Sequence, residues 1–238
     1  MTKKFEPSEN LDEPEDNIRL PQQLDSLYSD PWRIFRIMAE FVDGFDTFQQ
    51  LGKAVVFWGS ARTPEDHPDY LMSVSMAEKL GNHGFSIITG GGPGAMEAAN
   101  RGAKKAHSPS IGLNIELPHE QDANPYIEIG LDFRYFFVRK VMFVKYASAF
   151  VLIPGGFGTL DEFSEVITLI QTKKIDPIPV VLMDSDYWAG LIKWMQTRLV
   201  REGKISAEDM DLFFISDDED EAIQYILDWY ENNNKKKK

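Results

Sequence analysis

The stretch VLIPGGFGTLDEF, residues 151–163, contains three glycines, a threonine and two carboxylates directly after an apolar run. It opens with a continuous apolar run, which is typical of a strand buried on both faces of a sheet. A glycine-rich turn follows, and then a segment with the apolar spacing of a helix. This order of strand, turn and helix predicts an α/β protein in which a ligand closely approaches the backbone of the turn.

The same alternation extends over most of the chain. Short apolar runs suited to buried strands occur at 53–59, 85–91, 110–117, 126–133, 148–156 and 178–183. Helical patterns are found at Tyr70–Gly81, Ala95–Ala106, Val138–Tyr146, Leu160–Thr172, Trp188–Arg201 and Glu219–Tyr230. We therefore predict the α/β class, with a Rossmann-like doubly wound parallel sheet, helices on both faces and an N-terminal helical extension.

Composition divides the chain into four predicted segments. Residues 1–17 are acidic and contain prolines, and we expect a disordered tail because they cannot bury enough apolar surface to offset the entropy of ordering. Residues 18–52 form the helical extension, with its clearest helical spacing over 31–51. Residues 53–232 form the Rossmann-like nucleotide-binding catalytic domain. Residues 233–238 are a basic tail, which we interpret as a solvated terminus rather than a nucleic-acid patch.

Charge and composition exclude several classes of function. The 38 acidic and 25 basic residues give a net charge of −13, which disfavours a general nucleic-acid binder. The sequence contains no cysteine, so disulfides and cysteine-ligated metals are excluded. Its four histidines show no metal-binding spacing, and we expect neither a metal nor another cofactor. With no signal-like start and no apolar run of membrane-spanning length, we expect a cytoplasmic protein without a membrane partner.

Three glycine-bearing turns each follow a predicted strand, at residues 58–62, 89–99 and 153–162. In a parallel sheet these turns lie at the carboxyl ends of the strands, where ligands bind. Each turn offers backbone N–H groups and the positive end of a helix dipole to an anion. Any one of them could be merely a tight strand–helix connection, but three at equivalent places favour a nucleotide phosphate. The sequence has no GxxxxGK[ST] motif, which disfavours nucleoside-triphosphate hydrolysis.

The polar residues of the third turn have alternative interpretations. Thr159 can cap its helix or donate its hydroxyl to a phosphate oxygen. Asp161 fits a first-turn carboxylate that the helix dipole favours. Glu162 can close a capping box with Thr159, or it can act beside the phosphate on sugar hydroxyls or on a developing positive charge.

A cationic, aromatic stretch at 133–150 leads into this strand and turn. Arginine suits bidentate contact with phosphate, so Arg134 and Lys140 are candidate substrate-binding residues beside Arg139. The alternative is a set of solvated charges on the outer face of a crossover helix, which we favour for Lys145.

Three motifs resemble those of the Lonely Guy (LOG) family, often labelled lysine decarboxylase-like: GGGPGAMEAANRGA (90–103), FFVRK (136–140) and PGGFGTLDE (154–162). GSAR (59–62) fits the family's first turn, and the resemblance covers residues 50–215. It implies hydrolysis of the N-glycosidic bond of a nucleoside 5′-monophosphate, such as AMP or a cytokinin ribotide, to free base and ribose 5-phosphate.

The resemblance also implies roles for individual residues. Arg139 and Glu162 match the family's catalytic arginine and glutamate. The matched substrate-binding positions are Ser60, Gly91, Gly92, Gly94, Met96, Gly155, Gly156, Gly158 and Thr159. The chain departs from the plant-like members, because FFVRK replaces MHxRK and the region before Lys53 is longer than in compact members, so cytokinin specificity does not carry over. A pyridoxal-phosphate decarboxylase needs a Schiff-base lysine, and the three turns contain none.

Two other functions are compatible with the same fold. A non-catalytic carrier of a nucleotide or of molybdenum cofactor could use the same fold, although it would have no evident need for the Arg139–Glu162 pair. A DNA-handling protein could share the glycine turns, but the acidic charge disfavours it. The helices at 31–51 and 134–147 carry more apolar surface than one sheet face needs, so we expect a homodimer or higher homo-oligomer.

Overall fold

The computed structural model describes residues 21–117 and 123–236, and within them seven strands form one parallel sheet. The strand order is β4-β3-β2-β1-β5-β6-β7. The strands are β1 (Ala54–Trp58), β2 (Ser86–Thr89), β3 (Ser110–Ile115), β4 (Ile129–Phe133), β5 (Ala149–Leu152), β6 (Val180–Met183) and β7 (Phe214–Ser216). The predicted Rossmann-like parallel sheet is confirmed. The predicted tail at 1–17 and the last two residues of the basic tail lie outside the described residues.

Helices lie between most consecutive strands and cover both faces of the sheet. They are α1 (Pro21–Thr47), α2 (Pro68–Asn82), α3 (Ala95–Lys105), α4 (Phe136–Tyr146), α5 (Phe157–Gln171), α6 (Ser185–Trp194) and α7 (Glu219–Lys236). A π-helical turn at Met195–Val200 continues α6, and a 3₁₀ helix at Glu208–Leu212 precedes β7. No helix within 21–117 and 123–236 is long and apolar enough to cross a membrane.

Alternating strand residues build two separate apolar layers, because successive side chains point to opposite faces of a sheet. Val55 and Val151 pack with the buried residues of α2, α3 and α7 on one face. Val56 and Leu152 pack with those of α4, α5 and α6 on the other. The strands are therefore apolar along their whole length, which is why their sequences read as continuous apolar runs.

The strand order reverses between β1 and β5, which are hydrogen-bonded neighbours at the centre of the sheet. Successive connections step towards β4 on one side of this point and towards β7 on the other. At such a switch point the turns leave the sheet in opposite directions and open a crevice at the carboxyl ends of the strands. The three glycine turns follow β1, β2 and β5, so all three reach this crevice.

The N-terminal helix α1 packs against α4 and holds its first residues. The Glu40 carboxylate accepts hydrogen bonds from the backbone N–H groups of Arg134 (3.1 Å) and Tyr135 (3.3 Å), immediately before α4 begins. Gly44 allows close contact, because a Cβ there would lie 2.7 Å from the sulfur of Met142. Burial raises the pKa of Glu40, and the two backbone donors oppose that rise. The extension thus fixes the start of α4.

Several element boundaries differ from the predicted ones. Helix α5 begins at Phe157 rather than Leu160, because Gly156 already serves as its N-cap. The predicted helix at Trp188–Arg201 starts earlier and changes to π geometry at Met195. Strand β7 was not predicted, since it has only three residues and lies between acidic segments. Helix α1 extends ten residues N-terminal to the predicted spacing.

Candidate functional site

A cavity of about 510 Å³ opens at the switch point, between the turns after β1, β2 and β5 and the start of α4. Its walls include the following predicted site residues: Ser60, Gly92, Met96, Arg139, Gly156, Gly158, Thr159 and Glu162. Residues predicted from three separate turns and one helix therefore share a single cavity.

Backbone contacts lock the three turns together. The N–H of Ser60 donates to the carbonyl of Pro154 (3.1 Å), which joins the turn after β1 to the turn after β5. The carbonyl of Ser60 accepts from the N–H of Ala95 (3.0 Å), at the first residue of α3. Gly94 permits this approach, because its φ is +67° and a Cβ would lie 2.4 Å from the Ser60 carbonyl oxygen. Gly94 does not line the cavity, but it allows the close contact between the first two turns that gives the cavity its shape.

A buried hydrogen-bond network clamps the second turn. Gly91 has a φ of +76°, and its N–H donates to the Thr89 hydroxyl (2.9 Å). The Asn124 side-chain amide donates to the carbonyls of Gly91 and Gly92, both at 3.1 Å, and to the side-chain oxygen of Asn100 at 2.9 Å. Asn124 was not predicted, and its sequence surroundings contain no motif that indicates this role. The network holds the backbone of the turn in one conformation.

The N-terminus of α5 faces the cavity without a side-chain cap. Gly156 is the N-cap, and no side chain accepts a hydrogen bond from the first turn. The first N–H groups of a helix have no intrahelical acceptor, so this end attracts anions. A Cβ at Gly156 or Gly158 would meet nothing within 4 Å, which leaves room for a ligand against the backbone. Gly155, by contrast, is buried beneath Thr159.

The early start of α5 decides between the interpretations of its polar residues. Thr159 is the third residue of the helix and not its cap, so the capping box with Glu162 is wrong. Asp161 lies beyond the first turn, which contains no acidic residue, so the first-turn interpretation is wrong as well. Thr159 lines the cavity instead, and Glu162 lies one turn further along the same helix.

Arg139 and Glu162 approach each other inside the cavity. Nη2 of Arg139 lies 3.8 Å from Oε1 of Glu162, and their side chains are only 13% and 8% exposed. The guanidinium lies over the rings of Phe136 (5.1 Å) and Phe143 (5.5 Å), which hold it in place. Nε of Arg139 is buried without a hydrogen-bond partner among the described residues.

Burial perturbs both partners of the pair. It raises the pKa of the Glu162 carboxyl to about 7, although the charges of Arg139 and Lys140 oppose the rise. Burial likewise lowers the pKa of Arg139, while Glu162 counteracts the effect. A carboxyl that titrates near neutrality inside a cleft, beside a buried guanidinium, is typical of a functional site.

Two predicted cationic residues lie outside the residues that line this cavity. Arg134 is at the end of β4, where its Nε donates to Glu116 (3.2 Å). Lys140 points towards α5, with Nζ 2.9 Å from Asp161 and 3.0 Å from Glu165. Asp161 and Glu165 lie on either side of Glu162 in the sequence. The ion pairs of Lys140 with these two carboxylates therefore link α4 to α5 next to the Arg139–Glu162 pair.

A second cavity of about 510 Å³ lies on the other side of the third turn and shares Ser60, Arg62 and Gly156 with the first. The Tyr187 hydroxyl forms part of its wall and donates to the carbonyl of Gly155 (2.6 Å), which fixes the turn from behind.

In 21–117 and 123–236, no group of three or more histidine or carboxylate side chains is arranged to hold a metal ion.

Comparison with known proteins identifies the family. The family model described as "Possible lysine decarboxylase" matches residues 96–226, more than half of the chain, including Arg139 and Glu162. The chain belongs to this family. The predicted Lonely Guy family membership is thereby confirmed.

Similar proteins are named for reactions on nucleoside monophosphates. The chain is 28% identical over 167 residues to the cytokinin riboside 5′-monophosphate phosphoribohydrolase of Mycobacterium marinum, covering 66% of this chain and 86% of the relative. It is 30% identical over 165 residues to the "Probable cytokinin riboside 5′-monophosphate phosphoribohydrolase LOGL5" of Oryza sativa, covering 67% and 65%. It is 28% identical over 151 residues to the pyrimidine/purine nucleotide 5′-monophosphate nucleosidase of Escherichia coli K12, but spans only 33% of that protein.

Solved structures share the fold at lower identity. The molybdenum cofactor binding protein of Rippkaea orientalis superposes with a TM-score of 0.56 at 20% identity, covering 76% of this chain and 99% of that one. The Moco carrier protein of Chlamydomonas reinhardtii gives a TM-score of 0.53 at 21% identity, covering 76% and 99%. These similarities establish the fold alone.

Proposed function

We propose that this protein hydrolyses the N-glycosidic bond of a nucleoside 5′-monophosphate, giving free base and ribose 5-phosphate. The observation that carries the proposal is the buried Arg139–Glu162 pair in the same cavity as the uncapped N-terminus of α5. The activities named for the relatives support the same reaction. The substrate class that we propose comprises AMP and AMP-like nucleotides, with cytokinin ribotides among them.

The 5′-phosphate binds at the start of α5. The N–H groups of the first turn and the helix dipole favour a dianion there, and Gly156 and Gly158 leave the backbone accessible. The Thr159 hydroxyl is available as a further donor on the cavity wall. Binding energy from the phosphate, which does not react, fixes the ribose relative to Glu162.

Glu162 acts on the sugar. As the C1′–N bond lengthens, its electron pair leaves with the base, and the ribose becomes oxocarbenium-like. The Glu162 carboxylate stabilises this positive charge and accepts a proton from the water that attacks C1′. Glu162 then gives this proton up to the departing base, so the carboxylate is regenerated and one water molecule is consumed for each base released. The low exposure of Glu162 strengthens the electrostatic interaction, because little water screens it.

Arg139 completes the site from α4. Its guanidinium lies 3.8 Å from the Glu162 carboxylate, and the side chain lines the cavity, where its Nη groups can donate to a phosphate or base atom of the substrate. Because the pKa of Glu162 is about 7 in the unliganded protein, we expect kcat/KM to rise with pH through about neutrality as the carboxylate forms.

The test is base release from a panel of AMP, GMP, CMP and UMP, followed by chromatography. Wild type should release base, and Glu162→Gln should bind nucleotide but lose about two to three orders of magnitude in turnover. Near-normal release by the variant would remove Glu162 from the mechanism. Tight binding of a larger phosphorylated ligand without any release would favour the carrier function instead.

The same proposal covers organisation and assembly. Residues 53–232 form the catalytic unit, and α1 supports it through its contacts with α4. The protein assembles at least as a homodimer, since α1 exposes Trp32, Phe35 and Val42, and α4 exposes Phe137 and Val141. Light scattering at micromolar concentration tests this assembly, and the mass of a monomer would contradict it.

A further inference from the structure

Phe157 is the most exposed large apolar side chain among the described residues, at 92% exposure. It is the first residue of α5 and lies between Gly156 and Gly158, neither of which has a side chain against which the ring could pack. Exposing a whole phenyl ring to water is unfavourable, and a phosphate-binding turn does not itself require one. Phe157 is nevertheless one of the residues that line the cavity containing Arg139 and Glu162.

A second accessible ring lies in the same cavity wall. Phe136, at the start of α4, is 40% exposed and lies beneath the guanidinium of Arg139. The polar side chains of the lining are Ser60, Arg62, Arg139, Thr159 and Glu162, and the other lining side chains are apolar or absent apart from the buried indole N–H of Trp58. If the phosphate lies at the start of α5 and the sugar at Glu162, the base lies against the aromatic residues of the lining. No Asn or Gln side chain of the lining is available to form hydrogen bonds with the edge of the base.

We propose that the nucleobase stacks on the exposed ring of Phe157, with Phe136 as the second aromatic surface. The inference rests on the proposed function for the position of the phosphate. Stacking depends on ring area and tolerates different base edges, because every base has a π face. The structure therefore predicts that purine nucleotides bind more tightly than pyrimidine nucleotides, with little discrimination between AMP and GMP.

The test measures binding by calorimetry in the Glu162→Gln background, so that the nucleotide is not consumed. AMP, GMP, CMP and ribose 5-phosphate are compared, the last being the same phosphosugar without a base. Replacing Phe157 with Ala should weaken AMP binding roughly ten-fold, as expected for the loss of one base–aromatic stack, and leave ribose 5-phosphate binding unchanged. Phe157→Tyr should restore AMP affinity, because it retains the ring.

Phe137→Ala is the matched control. Phe137 is 46% exposed and lies beside Phe136 in the sequence, but it is absent from the cavity wall. This variant should bind AMP as tightly as its parent. Should the Gln variant fail to fold, KM for base release by wild type, Phe157→Ala and Phe157→Tyr supplies the same comparison.

Three results would overturn the proposal. If Phe157→Ala weakened the binding of AMP and of ribose 5-phosphate equally, Phe157 would stabilise the phosphate-binding turn and would not stack on the base. A lower molecular mass of this variant in light scattering, with unchanged AMP affinity, would show that a second copy covers the ring. AMP binding no tighter than ribose 5-phosphate would exclude stacking. Phe157-dependent AMP affinity in a wild type that releases no base would refute hydrolysis but leave the stacking intact.

Discussion

Replacing Glu162 with Gln should stabilise the folded protein above neutral pH while it removes turnover. The carboxyl is buried beside Arg139 and Lys140, and these cations only partly offset the cost of burying its negative charge. Gln has nearly the same shape and remains neutral at every pH. The variant therefore keeps the packing of the site and removes the buried charge.

The magnitude follows from the shift in pKa. The pKa of Glu162 rises from 4.5 to about 7 on folding, so the folded state binds the proton more tightly than the unfolded state. Such a group stabilises the fold less and less as pH rises from about 4.5 to about 7. At about 1.4 kcal/mol per pKa unit, the loss approaches about 3 kcal/mol once the carboxyl is fully ionised. Screening reduces this little, since the side chain is 8% exposed.

The assay is urea denaturation of wild type and variant at about pH 4.5 and about pH 8.5. We expect the variant to gain about 3 kcal/mol in free energy of unfolding at the higher pH and less than about 0.5 kcal/mol at the lower. Asp161→Asn is the control, because its carboxylate pairs with the same Lys140 but is 59% exposed, and it should change stability by less than about 1 kcal/mol. A gain of equal size at both pH values, or a loss at the higher one, would refute the reasoning.

Three further predictions follow from contacts around the site. Glu40→Ala removes the acceptor for two backbone N–H groups before α4, so it should destabilise the fold by about 1–2 kcal/mol in urea denaturation. Initial rates should show a larger fall in kcat than in KM. An unchanged kcat would show that α1 does not support the catalytic site. Lys140→Met removes a positive charge that lowers the pKa of Glu162, so the pKa of Glu162 should rise. In a plot of kcat/KM against pH, the rise on the acidic side should therefore move to higher pH. A rise at the same pH as in wild type would contradict this. Gly91→Ala places a Cβ 1.6 Å from the side-chain oxygen of Asn114 at a positive φ, so it should destabilise the fold by at least about 1–2 kcal/mol in urea denaturation. Gly158→Ala should fold normally but bind nucleotide more weakly, because its Cβ would occupy open space in the cavity. A stable Gly91→Ala together with an unstable Gly158→Ala would disprove our account of the two glycines.

The sequence predicts the parallel sheet and the meeting of the glycine turns because both depend on local patterns. Apolar runs identify the buried strands, and parallel pairing then brings their carboxyl ends to one edge. The residues alone leave Glu162 with two alternative roles and Arg139 as one of several cations, and only the family resemblance singles out the two as a catalytic pair. Nothing in their spacing along the chain requires a contact between α4 and α5.

Other features depend on contacts that no local pattern encodes. Arg139 and Lys140 are consecutive, but neighbouring residues in a helix point about 100° apart, so only one of them faces the cavity. Asn124 reaches the second turn from 33 residues away along the chain, through a loop with no periodicity. The start of α5 was misplaced because a glycine N-cap lacks the side-chain signal that marks most helix starts.

The central position of β1 has a consequence for the order of folding. β1 pairs with β2 on one side and with β5 on the other, and Ala54 bonds to Ser148 across 94 positions of the chain. Closing so long a loop is slow compared with forming any single helix. The cavity at the switch point is therefore completed only when the two halves of the sheet have joined. A ligand that binds there selects fully folded molecules from a refolding mixture and raises their share by mass action.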